Sequence, residues 1–210
     1  ILEDVRLGED KEIRVTLGKI CNKRGIDIQT IASLEKVIID NGVRVEIKRK
    51  NNAPQSPIAN GNKEFIEADH LLLALSRKPA LSDIRIEKLS LSFKGKYLQT
   101  NEVMETDKAG LFAIGDITGP PLLAHKASNE GLLAVSHIAG KETTPINYQN
   151  IPGVTYCLPQ VGSMGLTQEE AEKRNYKTRV GKFPLIANSK AIIDGEYEDG
   201  FIKIVTDDKY

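Results

Sequence analysis

Residues Gly110–Gly131 read GLFAIGDITGPPLLAHKASNEG, and the fold turns on how this stretch is resolved. Leu111–Ile114 is a short apolar run, predicted to be a strand, with Gly115-Asp116 at its carboxyl end. The chain then passes through Gly119-Pro120-Pro121 into a segment with helical periodicity. That periodicity predicts a helix over His125–Ala139, with Ala127, Leu132, Ala134, Val135 and Ile138 available for burial and Gly140 closing it.

In open α/β sheets, ligands sit off the carboxyl ends of strands, where Asp116 is expected. Gly115 admits close approach of backbone or ligand. A carboxylate at that point suits hydrogen bonds from a polyol or ribityl hydroxyl. Pro120 and Pro121 stiffen the path into the helix. The helix start near Leu122–His125 offers N–H groups without intrahelical acceptors and the positive end of the dipole. Both suit the anionic edge of a reduced flavin. The plainer account is a strand, a turn and a helix, with Asp116 capping the helix or satisfying the turn. The residues alone leave both open.

The 210 residues carry 29 Lys plus Arg against 29 Asp plus Glu, so neither nucleic acid nor an anionic membrane is expected as the main partner. No apolar run approaches the roughly 20 residues needed to cross a bilayer. The opening ILEDVRLGED lacks an initiator Met and a secretory signal, and the closing FIKIVTDDKY stops abruptly. Both ends read as cut from something longer. Cys21 and Cys157 are too few and too far apart for a disulfide framework or a zinc site. They read as buried reduced thiols in a reducing compartment.

Upstream, Glu9–Arg24 predicts an amphipathic helix through Ile13, Leu17, Ile20 and Cys21, stopped at Gly25, with a short strand over Ile26–Gln29. Glu35–Lys50 predicts a hairpin around Asp40-Asn41-Gly42, its Asn-Gly favouring a type I′ turn, with Val43, Val45 and Ile47 on an apolar face and the other face solvated. Asn51–Lys63 reads as a loop. Phe65–Ser76, with its run Leu71–Leu75, predicts a buried strand, and Tyr97–Val103 a short one. Beyond Pro145–Gly153, strands are expected at Val154–Cys157, Lys177–Pro184 and Gly200–Val205. Thr167-Gln168-Glu169-Glu170 is a capping box opening a helix to about Asn175. Sheet-rich sequence around one helix suggests a separate α+β unit from about residue 147. His70 and His137 read as ordinary strand and helix residues.

Gly110–Gly131 resembles the second flavin-binding segment of the pyridine nucleotide–disulfide oxidoreductases, especially their dihydrolipoamide-oxidising branch, through Ala-Ile-Gly-Asp, Gly-Pro, Leu-Ala-His-Lys-Ala and Glu-Gly. Residues 74–79, ALSRKP, resemble the end of that family's NAD domain. Residues 151–156, 161–167, 181–184 and 187–191 resemble its dimerisation domain. The resemblance implies an α/β fold: partial doubly wound nucleotide-binding domains of the FAD/NAD(P)-binding type, followed by part of an α+β dimerisation domain. It divides the chain into the back of an NAD-binding domain (1–79), a returning segment of the FAD-binding or central domain (80–146) and the front of the interface domain (147–210). It places Gly115, Asp116, Leu122, Leu123, Ala124 and His125 against FAD, mostly through backbone, and Leu34 and Ser76 near NAD. Ser76 replaces a family glycine.

The family's phosphate loops (G-x-G-x-x-G) and redox disulfide (C-x-x-x-x-C) do not occur in the 210 residues, and its His-Pro…Glu dyad would lie past Tyr210. Tyr156-Cys157-Leu158-Pro159-Gln160 departs from the family's Tyr-Thr-His-Pro-Glu, and Cys157 reads as a Thr replacement. No catalytic residue and no metal ligand is therefore assigned. The implied whole enzyme oxidises protein-bound dihydrolipoamide with NAD through FAD and a redox disulfide. It works as a homodimer, meets the lipoyl domain of a 2-oxo acid dehydrogenase complex, and resides in a bacterial cytoplasm or a mitochondrial or plastid matrix. The 210-residue piece is expected to be inactive alone. Alternatives are a glutathione- or mercuric-type reductase and a non-catalytic truncated module.

Overall fold

The computed structural model describes residues 9–28, 32–49, 63–74, 77–81, 86–195 and 198–209. In chain order they form α1 (Lys11–Lys23), β1 (Ala32–Ile39), β2 (Val43–Arg49), β3 (Lys63–Ala68), β4 (Phe93–Lys94), β5 (Tyr97–Leu98) and α2 (Ala124–Ile138). There follow β6 (Gly153–Thr155), β7 (Val161–Ser163), α3 (Gln168–Lys173), β8 (Arg179–Pro184), α4 (Ser189–Asp194) and β9 (Phe201–Thr206). Two compact units result, one of residues 1–74, 156–161 and 166–210, the other of 75–155 and 162–165.

In the first unit, α1 begins where the Asp10 carboxylate accepts the Glu12 N–H at 2.9 Å. It ends at Gly25 (φ 76°), where the Ile26 N–H donates to Cys21 O and the Gly25 N–H to Asn22 O, both at 3.0 Å. This cap occupies the Ile26 N–H, and Ile26–Ile28 do not form the expected strand. Gln29 lies outside the described residues.

Strands β1, β2 and β3 make an antiparallel sheet in that order. Ile39 faces Val43, so the loop is three residues long, not the two of a type I′ turn. Asn41 (φ 48°) and Gly42 (φ 138°) still supply the positive φ values that Asn-Gly favours. Val45 and Ile47 are buried as expected, but Glu46 on the opposite face is buried too. It sits on the middle strand, flanked by Lys36 and Phe65.

The larger departure is the leucine run. Phe65–Ala68 joins β3, but Leu71–Ala74 carries no strand and Leu72 is 88% exposed. Leu75 is not among the described residues. A strand buried on both faces needs neighbours along both edges, and the described residues supply none there. The loop expected at Asn51–Lys63 lies outside them as far as Asn62, and Lys63 opens β3. His70 stands exposed beyond β3, not in a strand.

Charge belts α1 to the later elements of this unit. Lys203 Nζ donates to both Asp10 oxygens at 2.9 and 3.0 Å. Arg14 meets Glu169 at 3.2 Å, Lys23 meets Asp199 at 2.6 Å, and Lys182 pairs with Glu12. The Thr167 capping box forms with both of its reciprocal bonds. Helix α3 stops at Lys173, short of the expected Asn175, because Asn175 turns left-handed (φ 64°). Strands β8 and β9 pair antiparallel from Arg179–Thr206 to Pro184–Phe201. Cys21 and Cys157 form no disulfide and are half-buried, where full burial was expected. Burial, then Cys21, pushes the Cys157 thiol up, with Arg24 opposing.

In the second unit, Met104, Leu133 and Ala134 form the core, with Phe112 and Ile146 packed on it. The strand expected over Tyr97–Val103 shrinks to Tyr97–Leu98. Asn101 Oδ1 accepts the N–H groups of Val103 and Glu105 at 3.0 Å each and turns the chain. The Leu111–Ile114 strand shrinks to a single bridge between Phe112 and Glu105. Val154–Cys157 likewise reduces to Gly153–Thr155. Helix α2 appears as expected within one residue, but its buried stripe is Lys126, Glu130, Leu133 and Ala134. Of the residues expected inside, only Ala134 is buried, and Leu132, Val135 and Ile138 are 69%, 65% and 62% exposed. His137 packs as an ordinary helix residue beside the Phe112 ring, with centroids 6.1 Å apart.

Asp10 supplies the prediction here. Burial alone would raise its carboxyl pKa, but the Lys203 hydrogen bond and charge, with the Glu12 and Gln168 N–H groups, hold it below the usual Asp value. Its contribution to stability is present above the ordinary carboxyl pKa of about 4 and is lost as pH falls through the lowered folded value. Asp10→Asn keeps the cap but removes this acid-side loss, read as a flatter stability-versus-pH curve in urea melts. Asp10→Ala also leaves the nearly buried Lys203 with the longer Glu12 contact at 3.7 Å, at a cost of about 1–3 kcal/mol.

Candidate functional site

The candidate site lies wholly in the second unit. A hairpin-like loop feeds it. The Thr106 N–H donates to Leu111 O at 2.8 Å, the Gly110 N–H to Glu105 Oε1 at 2.7 Å, and the Ala113 N–H to Met104 O at 3.0 Å. These bonds deliver the chain to Gly115–Thr118, a single 3₁₀ turn in place of a strand end. Gly115 is buried with φ 84°, a conformation that side chains other than glycine adopt at a cost.

Both polar groups of Gly115 are held by α2. Its N–H donates to Glu130 Oε2 at 2.7 Å, and its carbonyl accepts Lys126 Nζ at 2.8 Å. Lys126 also reaches Thr118 Oγ1 at 2.7 Å and Gly119 O at 3.0 Å. Lys126 and Glu130 pair at 3.0 Å with side chains 1% and 0% exposed. The Tyr148 hydroxyl donates to Glu130 Oε1 at 2.8 Å. Burial, then the hydrogen bond and charge of Glu130, pushes the Tyr148 phenol well above its ordinary pKa. Desolvating a Lys–Glu pair is unfavourable unless the remaining protons and lone pairs find partners. Here they find Gly115, Thr118, Gly119 and Tyr148.

This clamp faces inward, so Asp116 faces out, with its side chain 46% exposed. Arg77 Nη1 lies 3.8 Å from Asp116 Oδ2, and Arg77 Nη2 donates to Leu122 O at 3.2 Å. Lys96 Nζ holds Arg77 O at 2.8 Å. Arg77 thus joins the carboxylate to the segment entering α2. Leu122 and Leu123 are half-buried there, and Ala124 and His125 open α2 exposed. The N-cap is Leu123 and makes no side-chain cap, so Asp116 does not cap the helix. The first-turn N–H groups of α2 head a 15-residue helix with its dipole end toward the turn. His125 Nε2 donates to Pro152 O at 2.7 Å, fixing its ring by its side chain.

The six residues assigned to a flavin therefore lie along one continuous segment, and Arg77 links its two ends. Leu34 lies in the first unit, on β1, 45% exposed. Ser76 is outside the described residues. Lys126, Glu130, Thr118, Tyr148 and Arg77 were not read from the sequence. Lys126 and Glu130 stand at i and i+4 in AHKASNEG, a spacing that ordinarily means a surface pair. Only the apolar residues left outside α2 would have hinted that its charged side turns inward.

Residues 2–131 match the pyridine nucleotide-disulphide oxidoreductase family, and residues 151–210 match its dimerisation domain. The chain belongs to the pyridine nucleotide-disulphide oxidoreductase family. Among similar proteins, dihydrolipoyl dehydrogenase of Zymomonas mobilis is 38% identical, covering 95% of this chain and 41% of that protein. The mitochondrial dihydrolipoyl dehydrogenase of Pisum sativum is 34% identical, covering 94% and 38%. The chain thus spans about two fifths of the length of these relatives. The crystal structure of LpdA from Mycobacterium tuberculosis superposes with a TM-score of 0.79 at 24% identity, covering 94% of this chain and 40% of that one. The HOCl-induced flavoprotein disulfide reductase RclA of Escherichia coli gives 0.80 at 21%, covering 97% and 44%. These likenesses establish the fold, a partial α/β nucleotide-binding fold. Among the described residues no helix is long and apolar enough to cross a membrane.

Gly115→Ala tests the turn. A Cβ there would meet Ala127 Cβ at 3.6 Å, an ordinary contact, so the cost is conformational. The variant is expected to lose about 1–2 kcal/mol in urea unfolding.

Proposed function

We propose that this chain is part of a dihydrolipoyl dehydrogenase that uses FAD and NAD. The observation that carries the reading is the exposed Asp116 carboxylate, presented by the buried clamp beside the uncapped N-terminus of α2. This donor and acceptor set fits a polyol chain joined to a ring with an anionic edge. Gly115 and Asp116 hold the ribityl chain, with Asp116 accepting a hydroxyl. Leu122, Leu123, Ala124 and His125 line the ring, where the half-buried leucines exclude water and the first-turn N–H groups face its anionic edge. When bound, FAD supplies two-electron transfer between a dithiol–disulfide couple and NAD. Leu34 and Ser76 are the two positions assigned to NAD, on the strength of the family match.

Residues 1–79 are the back of the NAD-binding domain, 80–146 the returning segment of the FAD-binding domain and 147–210 the front of the interface domain. A second copy pairs through residues from about 147 onward. The substrate is dihydrolipoamide carried by the lipoyl domain of a 2-oxo acid dehydrogenase complex, in a bacterial cytoplasm or an organelle matrix.

The test is a titration of FAD with the 210-residue chain, followed by flavin fluorescence. Quenching that saturates at micromolar protein, weakened about tenfold or more in Asp116→Ala, is the expected result. Equal affinity in the variant, or no quenching by the wild type, overturns the reading. The same chain, lacking a C-x-x-x-x-C pair, should not reduce NAD from dihydrolipoamide, and a rate above a mock preparation would contradict this.

A further inference from the structure

Glu130 is an acceptor at each of its contacts, and those contacts come from three different parts of the second unit. The Gly115 N–H (2.7 Å) and Thr118 Oγ1 (3.1 and 3.3 Å, its one proton shared with Gly115 O at 2.8 Å) belong to the turn, and Lys126 (3.0 Å) to its own helix. The Tyr148 hydroxyl (2.8 Å) belongs to the 3₁₀ turn Tyr148–Asn150. That turn lies immediately before residues 151–210, which match the dimerisation domain. One buried carboxylate therefore ties the cofactor-facing turn to the connector that enters the dimerisation segment. Moving the connector would remove a donor from Glu130 and change the acceptor available to Gly115.

Resting on the flavin reading above, we propose that Glu130 is a positioning residue: with Lys126 it sets the Gly115 peptide so that Asp116 is presented to FAD, and through Tyr148 it couples that setting to the connector at residues 148–150. Neither Glu130 nor Tyr148 needs to touch the cofactor. A carboxylate left with fewer donors recruits the Gly115 and Thr118 protons differently, and the turn shifts with them. Lys126 holds the carbonyl of the next peptide, Gly115–Asp116, so the two charges fix the peptides on either side of the Gly115 Cα as one device.

The test uses the 210-residue chain, labelled with ¹⁵N, and two independent readouts: the Gly115 amide resonance without ligand, and the FAD dissociation constant from fluorescence quenching. Tyr148→Phe removes one hydroxyl at constant shape and avoids the gross destabilisation that Glu130 variants risk. Thr118→Val removes a second hydroxyl, and Thr118→Ser restores it. Tyr148→Phe, which removes one hydrogen bond to Glu130, should move the Gly115 resonance and weaken FAD binding about three- to tenfold, and Thr118→Val, which removes the contacts to Glu130, Gly115 O and Lys126 together, should do so at least as strongly. Thr118→Ser should match the wild type in both. A Gly115 resonance unmoved by Tyr148→Phe overturns the coupling. A moved resonance with unchanged FAD affinity overturns the positioning role. If the wild type binds no FAD, the flavin reading fails and takes the positioning role with it, whereas the Gly115 resonance still reports whether the clamp itself operates.

Discussion

The Lys126–Glu130 pair beneath the Gly115 peptide is the constraint on which the candidate site depends. An ion pair taken out of water loses several kcal/mol of solvation per charge, and their mutual attraction offsets this only with good geometry and further hydrogen bonds. Those further bonds are the site's architecture. The Gly115 N–H and carbonyl, the Thr118 hydroxyl and the Gly119 carbonyl are the partners that make burial of the charges tolerable. The glycine turn and the charge pair therefore determine each other. The turn needs φ 84° at Gly115, and the pair needs the N–H and the carbonyl of the two peptides that flank the Gly115 Cα.

The first unit uses charge differently. Lys203 and Asp10 are nearly buried and hydrogen-bonded at two points, and the pairs around them are partly or largely exposed. Exposed pairs contribute little, so α1 is held chiefly by Asp10, which caps the helix and binds Lys203 with one carboxylate. Across the chain, apolar side chains remain open: Leu72, Leu132, Val135 and Ile138 are each more than 60% exposed. The chain spans about two fifths of its relatives' length.

Local signals read well where the physics is local. The Thr167 capping box, the Gly25 stop, the positive φ values at Asn41-Gly42 and the extent of α2 all follow from hydrogen bonds within a few residues. Gly115, Asp116 and Leu122–His125 stay near one another because they are close in sequence. The strands expected at Leu71–Ala74 and Leu111–Ile114 were not legible, since a strand exists only through partners elsewhere. The burial of α2 was inverted for a related reason. Periodicity identifies an apolar face, but what lies against each face is not written in the helix.

The sequence by itself determined the Gly25 stop, the Thr167 capping box, helix α2 and the family those motifs belong to. Tertiary structure decided that Lys126 and Glu130 turn inward, that Arg77 joins Asp116 to Leu122, and that Tyr148 reaches Glu130 from 18 residues away. The reason is solvation. An i,i+4 Lys–Glu pair is at home in water, and it becomes a buried clamp only where a folded turn supplies enough hydrogen bonds to replace that water.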